Sequence, residues 1–184
     1  MRLSRKHWIM IVFTPLALLC DQITKQMIHS ALEPFEEIVI IPGHLEFILV
    51  RNSGLVFGMF SGRLGGTATL IFLGITIIAL GIIIHLFFHT ENKAVVLPLA
   101  LSLVLAGAFG NLIDRLRWGY VVDFINMHAH LLGKERTWPT FNIADLAITG
   151  GIVLLVIDAF KPQFIWLFNL ISGRKSEEQG SGAE

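Results

Sequence analysis

Residues 140–160 read TFNIADLAITGGIVLLVIDAF, and this stretch decides the fold class. The run after Asp145 is apolar and long enough to supply most of a membrane-spanning helix, which needs about 20 residues. A carboxylate at the mouth of such a helix is costly to take out of water unless it has partners or a task. Asn142 fits a helix N-cap, and Asp145 then lies in the first turn, where the helix dipole favours negative charge. Capping accounts fully for Asn142 and only partly for Asp145.

The composition places the whole chain among membrane proteins. Of the 184 residues, 54% are hydrophobic and 15% are charged, and the mean hydropathy is +0.69. Soluble domains average about 45–50% apolar and about 25% charged residues. The net charge is zero and no basic cluster alternates with aromatic residues, so nucleic acid is not an expected partner. Cys20 is the only cysteine, which excludes an internal disulfide, and we expect it to be a small buried residue.

Four apolar segments predict a mainly α, multi-pass membrane protein. The first segment follows three basic residues, as a signal peptide does, but no small-residue cleavage site comes after it, so we predict an uncleaved span. Lys161 and Pro162 are predicted to end the last segment. The predicted spans cover residues 8–27, 64–88, 94–113 and 142–160.

The distribution of basic residues gives a weak orientation signal. The N-terminus, the turn around residues 91–93 and the C-terminal tail hold seven Lys and Arg residues, and the two longer connections hold six. Because the N-terminal basic cluster directly adjoins the first span, the positive-inside rule predicts that both termini are cytoplasmic. The two longer connections are then expected on the outer side.

The two outer connections differ in character. Residues 37–51, EIVIIPGHLEFILVR, place two apolar, β-branched runs around a Pro-Gly turn, which predicts a small antiparallel sheet at the membrane surface. Residues 114–139 carry Trp118, Tyr120 and Trp138, whose rings suit the water–lipid boundary. We predict one membrane domain, residues 1–165, with sheet structure at about 37–58 and an outer connection at about 114–140. Residues 166–184 form a polar tail that is predicted to be disordered.

Polar and ionisable residues gather near the predicted outer ends of the spans. Isolated charges that face lipid would each cost kilocalories, so we expect these side chains to converge on one wet site between helices. They are Asp21, Asn111, Asp114, Arg115, Asp123, Asn142 and Asp145.

Several of these residues also have a plain structural explanation. Asp21 and Lys25 are four apart in the acid-first order, which suits a surface ion pair as well as a functional role. Arg115 shares a helical face with Asn111 and could extend to the headgroups. Asp123 shows no capping pattern, and its apolar neighbours should raise its pKa.

Two aspartates held close together in such a site cannot both ionise comfortably, so they share a proton. One then acts as base toward a water molecule while the other donates a hydrogen bond to a carbonyl group, as in aspartic peptidases. Asp123 and Asp145 are the candidate pair, although their spacing alone does not show that they meet.

Histidine-based metal chemistry is a weaker hypothesis. His85 and His89 are four apart, but they lack the glutamate of a zincin helix and lie at the opposite end of the spans. His128 and His130 are expected to be surface residues. We therefore predict no metal and no other cofactor.

Five short motifs resemble those of lipoprotein signal peptidase, the bacterial type II signal peptidase. They occur in the family's order within about the first 160 residues. One departure is Leu55 and Val56, where the family often has smaller residues. The motifs are DQITK at 21–25, NSGLVFG at 52–58, GAFGNLIDR at 107–115, VVDF at 121–124 and FNIAD at 141–145.

The resemblance implies an aspartic endopeptidase of the bacterial inner membrane, with four transmembrane helices and a small extracytoplasmic antiparallel β-cradle. It would act as a monomer near the outer membrane face, remove the signal peptide from diacylglyceryl-modified prolipoproteins by cutting before the lipidated cysteine, and meet these substrates within the membrane lipid. The resemblance assigns Asp123 and Asp145 as catalytic. It assigns substrate binding to Asn52, Gly107, Asn111, Arg115, Val122 and Asn142, and support of the site to Asp21, Lys25 and Asp114.

Two other classes of function remain open at this stage. A small proton-coupled transporter would use the carboxylates as a relay, but it would need polar residues that lead to the cytoplasmic face, and the second and third spans have few. A noncatalytic membrane scaffold would leave the acidic cluster without a task.

Overall fold

The structure is a computed structural model, and it describes residues 3–33, 36–53, 65–131 and 134–171. Among these residues, three helical stretches are long and apolar enough to cross a membrane, namely Arg5–Ala31, Val96–Trp118 and Ile143–Lys161, and a shorter apolar stretch covers Leu73–His89. The helices are α1 (Arg5–Ala31), α2 (Gly65–His89), α3 (Val96–Trp118) and α4 (Ile143–Ile171). The strands are β1 (Glu37–Ile41), β2 (Leu45–Asn52), β3 (Val121–Leu131) and β4 (Lys134–Thr137).

The ends of two helices differ from the prediction. Helix α3 continues to Trp118, where Gly119 adopts a φ of 80° and donates its N–H to the Arg115 carbonyl at 3.0 Å. The stretch of α4 that is apolar enough to cross a membrane ends at Lys161, close to the predicted end of the last span, but the prediction that Lys161 and Pro162 stop the helix is wrong, because α4 runs on to Ile171. A proline inside a helix removes one hydrogen bond, which a long apolar run can tolerate, and α1 likewise contains Pro15. Residues 166–171 of the predicted disordered tail are therefore helical, and 172–184 lie outside the described residues.

The predicted hairpin is confirmed and belongs to a larger sheet. Strands β1 and β2 pair antiparallel, and the sheet order is β1-β2-β3-β4. Strands β3 and β4 come from the second of the two longer connections, where we predicted no strands. The pairing of β2 with β3 sets Val50 opposite Asp123 and Asn52 opposite Val121. This register brings the end of β2 to the candidate catalytic residue. Residues 54–58 of the predicted sheet region lie outside the described residues.

Helix α3 lies among the other helices, and glycines allow α4 to approach it closely. A methyl group added at Gly151 would lie 2.8 Å from the Ala100 carbonyl oxygen and 2.6 Å from Cγ2 of Val104. Under the sheet, a buried apolar cluster joins the end of α1 to β2 and β3, and it consists of Ile28, Leu32, Leu49, Val122 and Phe124.

Large apolar side chains cover the outward faces of the helices. Leu19 on α1, Ile77 on α2 and Val156 on α4 are all exposed, as expected for surfaces that face lipid. Cys20 is also exposed, so the expectation that it is buried is wrong. In a membrane protein an exposed position on a spanning helix meets lipid, which suits a small apolar side chain as well as a protein core does.

The contact at Gly151 generates a test of the α3–α4 packing. Replacing Gly151 with Ala should lower the free energy of unfolding by about 1–3 kcal/mol, because the added methyl group has no room. Gly150→Ala is the matched control, since a Cβ at that neighbouring position meets nothing within 4 Å. Thermal unfolding in detergent micelles measures both variants. Equal midpoints for the two would contradict this packing.

Candidate active site

The start of α4 is capped by its own residues. The side-chain oxygen of Asn142 accepts the N–H of Asp145 at 3.0 Å, and the Asp145 carboxylate accepts the N–H of Asn142 at 3.2 Å. This reciprocal pair is a capping box, which confirms the N-cap interpretation of Asn142. The N–H of Ala144 donates to Asp21 of α1 at 2.8 Å. The cap thereby holds Asp145 at the positive end of the helix dipole.

Backbone pairing beside the cap brings β3 to the same place. Phe141 forms a bridge with Ile125, and its carbonyl accepts the N–H groups of Phe124 and Ile125 at 3.0 and 2.8 Å. Asn142, the next residue, donates its side-chain amide to Oδ1 of Asp123 at 2.7 Å. Asn142 therefore contacts both candidate aspartates, Asp123 through its side chain and Asp145 through its backbone and side chain.

Asp123 is a buried carboxyl group held by two amides. Its Oδ2 accepts the side-chain amide of Asn52 at 2.8 Å, and its side chain is only 3% exposed. Burial raises the pKa of Asp123 to about 7; the negative charge of Asp145 acts in the same direction, and the bonds from Asn52 and Asn142 oppose it. This confirms the expected direction of the shift. The group can therefore hold or release a proton near neutral pH.

Lys25 lies at the centre of a buried ionic cluster. Its Nζ is 2.9 Å from Oδ2 of Asp21, 2.9 Å from Oδ2 of Asp114 and 2.9 Å from Oδ1 of Asn111. The side chains of Lys25 and both aspartates are at most 1% exposed. The alternative of a surface ion pair between Asp21 and Lys25 is therefore wrong.

Asn111 connects this ionic cluster to the candidate pair. While its oxygen accepts from Lys25, its amide donates to Oδ1 of Asp145 at 2.9 Å. Arg115, one turn later on α3, is buried and donates Nη1 to the Asn111 carbonyl at 3.1 Å. Arg115 therefore turns into the protein instead of extending to the headgroups.

Sequence reasoning missed two residues of the site. The Gln22 amide donates to Oδ1 of Asp114 at 2.9 Å and to the Gly110 carbonyl at 3.2 Å, which links α1 to α3. A Cβ at Gly110 would collide with the Asp21 carboxylate, so the glycine makes room for it. Gln22 lies inside the motif DQITK, and Gly110 lies inside GAFGNLIDR. Their membership of these motifs was the sequence feature that could have marked them as site residues.

Two predicted substrate-binding residues lie behind the site. Val122 is fully buried in the apolar cluster, and its N–H donates to Oδ2 of Asp114 at 3.2 Å. Gly107 lies against α4, where an added Cβ would collide with the Ala144 carbonyl and lie 2.6 Å from Cγ1 of Ile148. Val122 contacts the ionic cluster and Gly107 packs against α4, and their contact with substrate stays a prediction.

His89 and His128 form hydrogen bonds within the protein. His89 Nδ1 lies 2.8 Å from the His85 carbonyl, and His128 Nε2 lies 3.0 Å from Oε1 of Glu46. That contact with His128 is the main cause that lowers the pKa of Glu46. Within the described ranges, no group of three or more His, Cys, Asp and Glu residues is arranged to hold a metal ion.

A family model and similar sequences point to one family. A family model described as signal peptidase (SPase) II matches residues 13–161. The chain is 37% identical over 160 residues to a lipoprotein signal peptidase of Syntrophus aciditrophicus, with 86% of this chain and 97% of the relative covered. It is 40% identical over 147 residues to that of Thermodesulfovibrio yellowstonii, with 79% and 90% covered. A solved bacterial membrane enzyme is similar with a TM-score of 0.76 and 30% identity, over 98% of this chain and 99% of that one.

The raised pKa of Asp123 generates a prediction about stability. Between about pH 4 and 7 the folded protein keeps the Asp123 proton, whereas the unfolded chain, with the ordinary value of 3.8, has lost it. The free energy of unfolding should therefore fall as pH rises through this window, by at most about 1.4 kcal/mol per pH unit, and this contribution should level off above pH 7. Thermal unfolding of wild type and Asp123→Asn across pH 4–8 measures it. Parallel pH profiles for the two proteins would contradict it.

The ionic cluster generates a second prediction. Replacing Lys25 with Met leaves two buried carboxylates without their cation, which should cost roughly 3–5 kcal/mol of stability. Lys161→Met is the matched control, because Lys161 is exposed on α4. Chemical or thermal unfolding in detergent compares them, and similar losses for both variants would count against the cluster.

Proposed function

Because the chain belongs to the signal peptidase II family, we propose that it is an aspartic endopeptidase of the bacterial inner membrane that removes the signal peptide from diacylglyceryl-modified prolipoproteins. The cut falls just before the lipidated cysteine. Asp123 and Asp145 form the catalytic pair. The observation that supports this proposal is the position of Asn142, which forms hydrogen bonds with both aspartates and so links them.

The chemistry needs one proton shared between the two aspartates. The pKa of Asp123, about 7, allows the pair to hold that proton at neutral pH. The ionised carboxylate takes a proton from a water molecule as the water oxygen attacks the scissile carbonyl carbon. The protonated partner donates to the carbonyl oxygen, and a tetrahedral intermediate forms. Proton transfer to the departing nitrogen then breaks the C–N bond, with no covalent bond between enzyme and substrate.

The surrounding amides hold the pair ready for this reaction. Asn52 and Asn142 each donate to one oxygen of Asp123, and Asn111 donates to Asp145. Such prearranged donors cost no reorganisation when the reaction occurs. In our proposal Asn52, Asn111, Arg115 and Asn142 line the substrate pocket. This chemistry requires two carboxyl groups and a water molecule and involves no metal or organic cofactor.

The location of the site suits a lipid-anchored substrate. The candidate pair lies where α3 ends, α4 begins and the sheet starts. A substrate can therefore keep its acyl chains in the lipid while its cleavage point reaches the span ends. We propose α2 as the fourth span, both termini in the cytoplasm, the site near the outer face, and a monomer as the working form.

The transporter alternative gains no support from α3. Ser102 is buried toward the other end of this helix, and its hydroxyl donates to the Pro98 carbonyl of the same helix at 2.7 Å. A relay would need such a group to pass a proton onward between helices. The peptidase proposal explains the acidic cluster without requiring a polar path through the helices.

Replacing either aspartate tests the assignment. Asp123→Asn and Asp145→Asn should each reduce cleavage of a diacylglyceryl prolipoprotein by about 10²–10⁴-fold, because neither amide can exchange the proton. The assay uses purified protein in detergent and follows the loss of the signal peptide on a gel. Asp158→Asn is the control, since it makes the same change roughly 20 Å further along α4.

The fold of each variant is checked by thermal unfolding. Cleavage at the wild-type rate by a folded Asp123→Asn or Asp145→Asn protein would defeat the catalytic assignment. An equal loss in Asp158→Asn would show that the effect comes from charge or stability and not from the pair.

A further inference from the structure

Three aromatic rings stack at the end of the bundle that carries the site. His29 lies in the last turn of α1, Trp118 ends α3, and Tyr120 precedes β3. The His29 and Trp118 rings are 5° from parallel with centroids 4.8 Å apart, and Tyr120 lies 6.3 Å from His29 and 6.4 Å from Trp118 at 20° and 19°. The Tyr120 hydroxyl and His29 Nε2 are 2.9 Å apart. We call His29, Trp118 and Tyr120 the ring stack.

An arginine lies against each of two rings in this stack. Cζ of Arg51 is 5.5 Å from the Tyr120 centroid, and Cζ of Arg117 is 4.6 Å from the Trp118 centroid. Both arginines are exposed, and within the part of the chain that the structure describes neither side chain forms a hydrogen bond or an ion pair with another residue. A stacked guanidinium group keeps its N–H groups in the ring-parallel plane, where they can meet a ligand edge-on.

The arginines lie where the apolar helices end. Arg117 is in the last turn of α3, and Arg51 pairs with Val122 at the end of β2, directly before Asn52 of the site. Trp and Tyr rings favour this level of the membrane. In the topology proposed above these cations are on the outer side, where the positive-inside rule does not favour them, so their presence calls for another reason.

We propose that Arg51 and Arg117, held by the ring stack, bind the phosphate of anionic phospholipids. A guanidinium group can bind two phosphate oxygens at once. The two positive charges favour a headgroup with net negative charge, such as that of phosphatidylglycerol. The diacylglyceryl group of the proposed substrate carries no phosphate, so the ligand is membrane lipid and not substrate. The site anchors the rim of the active site to the headgroup layer. The inference rests on the proposed membrane placement and not on catalysis.

Lipid retention tests the site without any substrate. The full chain is purified from mixed phosphatidylglycerol and phosphatidylcholine nanodiscs into mild detergent, and native mass spectrometry counts the bound lipids. Wild type should retain phosphatidylglycerol selectively. The double variant Arg51→Gln/Arg117→Gln should bind it about 10- to 30-fold more weakly. Arg136→Gln, which removes one exposed arginine on β4, should retain it as wild type does.

Each outcome decides the proposal. Equal retention by wild type and the double variant would overturn it, as would an equal loss in Arg136→Gln. Displacement of the lipid by millimolar inorganic phosphate or glycerol phosphate would overturn the lipid assignment in favour of a soluble phosphate ligand. Single variants Arg51→Gln and Arg117→Gln, each at an exposed position, keep the test valid if the double variant does not fold. Because the readout is binding, its failure leaves the peptidase proposal untouched.

Discussion

The whole site depends on how one residue, Asn142, is held between β3 and α4. Its backbone begins α4 and forms the capping box with Asp145, and its side-chain amide reaches Asp123. It can do both only because Phe141 is bridged to Ile125 of β3, which fixes where the helix starts relative to the strand. Two carboxyl groups from different elements are then linked through one residue without being neighbours in sequence. The capping contact is local in sequence, and the bridge between Phe141 and Ile125 is what brings the cap next to Asp123 on β3.

Burying this much charge is possible because every group has partners. Lys25 neutralises part of the charge of Asp21 and Asp114. Backbone N–H groups supply further hydrogen bonds to these carboxylates, from Ala144 to Asp21 and from Val122 to Asp114. A buried carboxylate without such donors would cost several kilocalories, so these contacts fix α1, α3, α4 and β3 relative to one another. The ionic cluster therefore acts as the rigid support on which the candidate pair is positioned. Support of this kind lets the amide donors stay aimed at the carboxyl groups before substrate arrives.

Local features of the fold could be predicted from the sequence, and features that depend on docking could not. The N-cap at Asn142 was predictable because the two members of a capping box are only three positions apart, and the hairpin of β1 and β2 was marked by its Pro-Gly turn. Strand β3 was missed because its sequence does not show the regular alternation of apolar and polar residues that marks a half-buried strand. The face that holds Asp123 meets a polar site instead of solvent. The convergence of Asp21 and Asp114 was expected from the cost of charges that face lipid, but the position of Lys25 between them could not be predicted, since it depends on how α1 docks against α3. The expectation that Pro162 ends the helix was wrong because the apolar sequence continues beyond it. The hydrogen bond that the proline removes does not outweigh the stability of the longer helix.

The central claim is that Asp123 and Asp145 share one pocket and feel each other's charge. An infrared titration of the protonated carboxyl stretch tests it most directly in the purified protein. We expect a carboxyl band with a midpoint near pH 7, absent in Asp123→Asn and shifted to lower pH in Asp145→Asn, because the Asp145 charge helps to raise the pKa of Asp123 to about 7. A midpoint that stays unchanged when Asp145 is replaced would contradict the shared pocket.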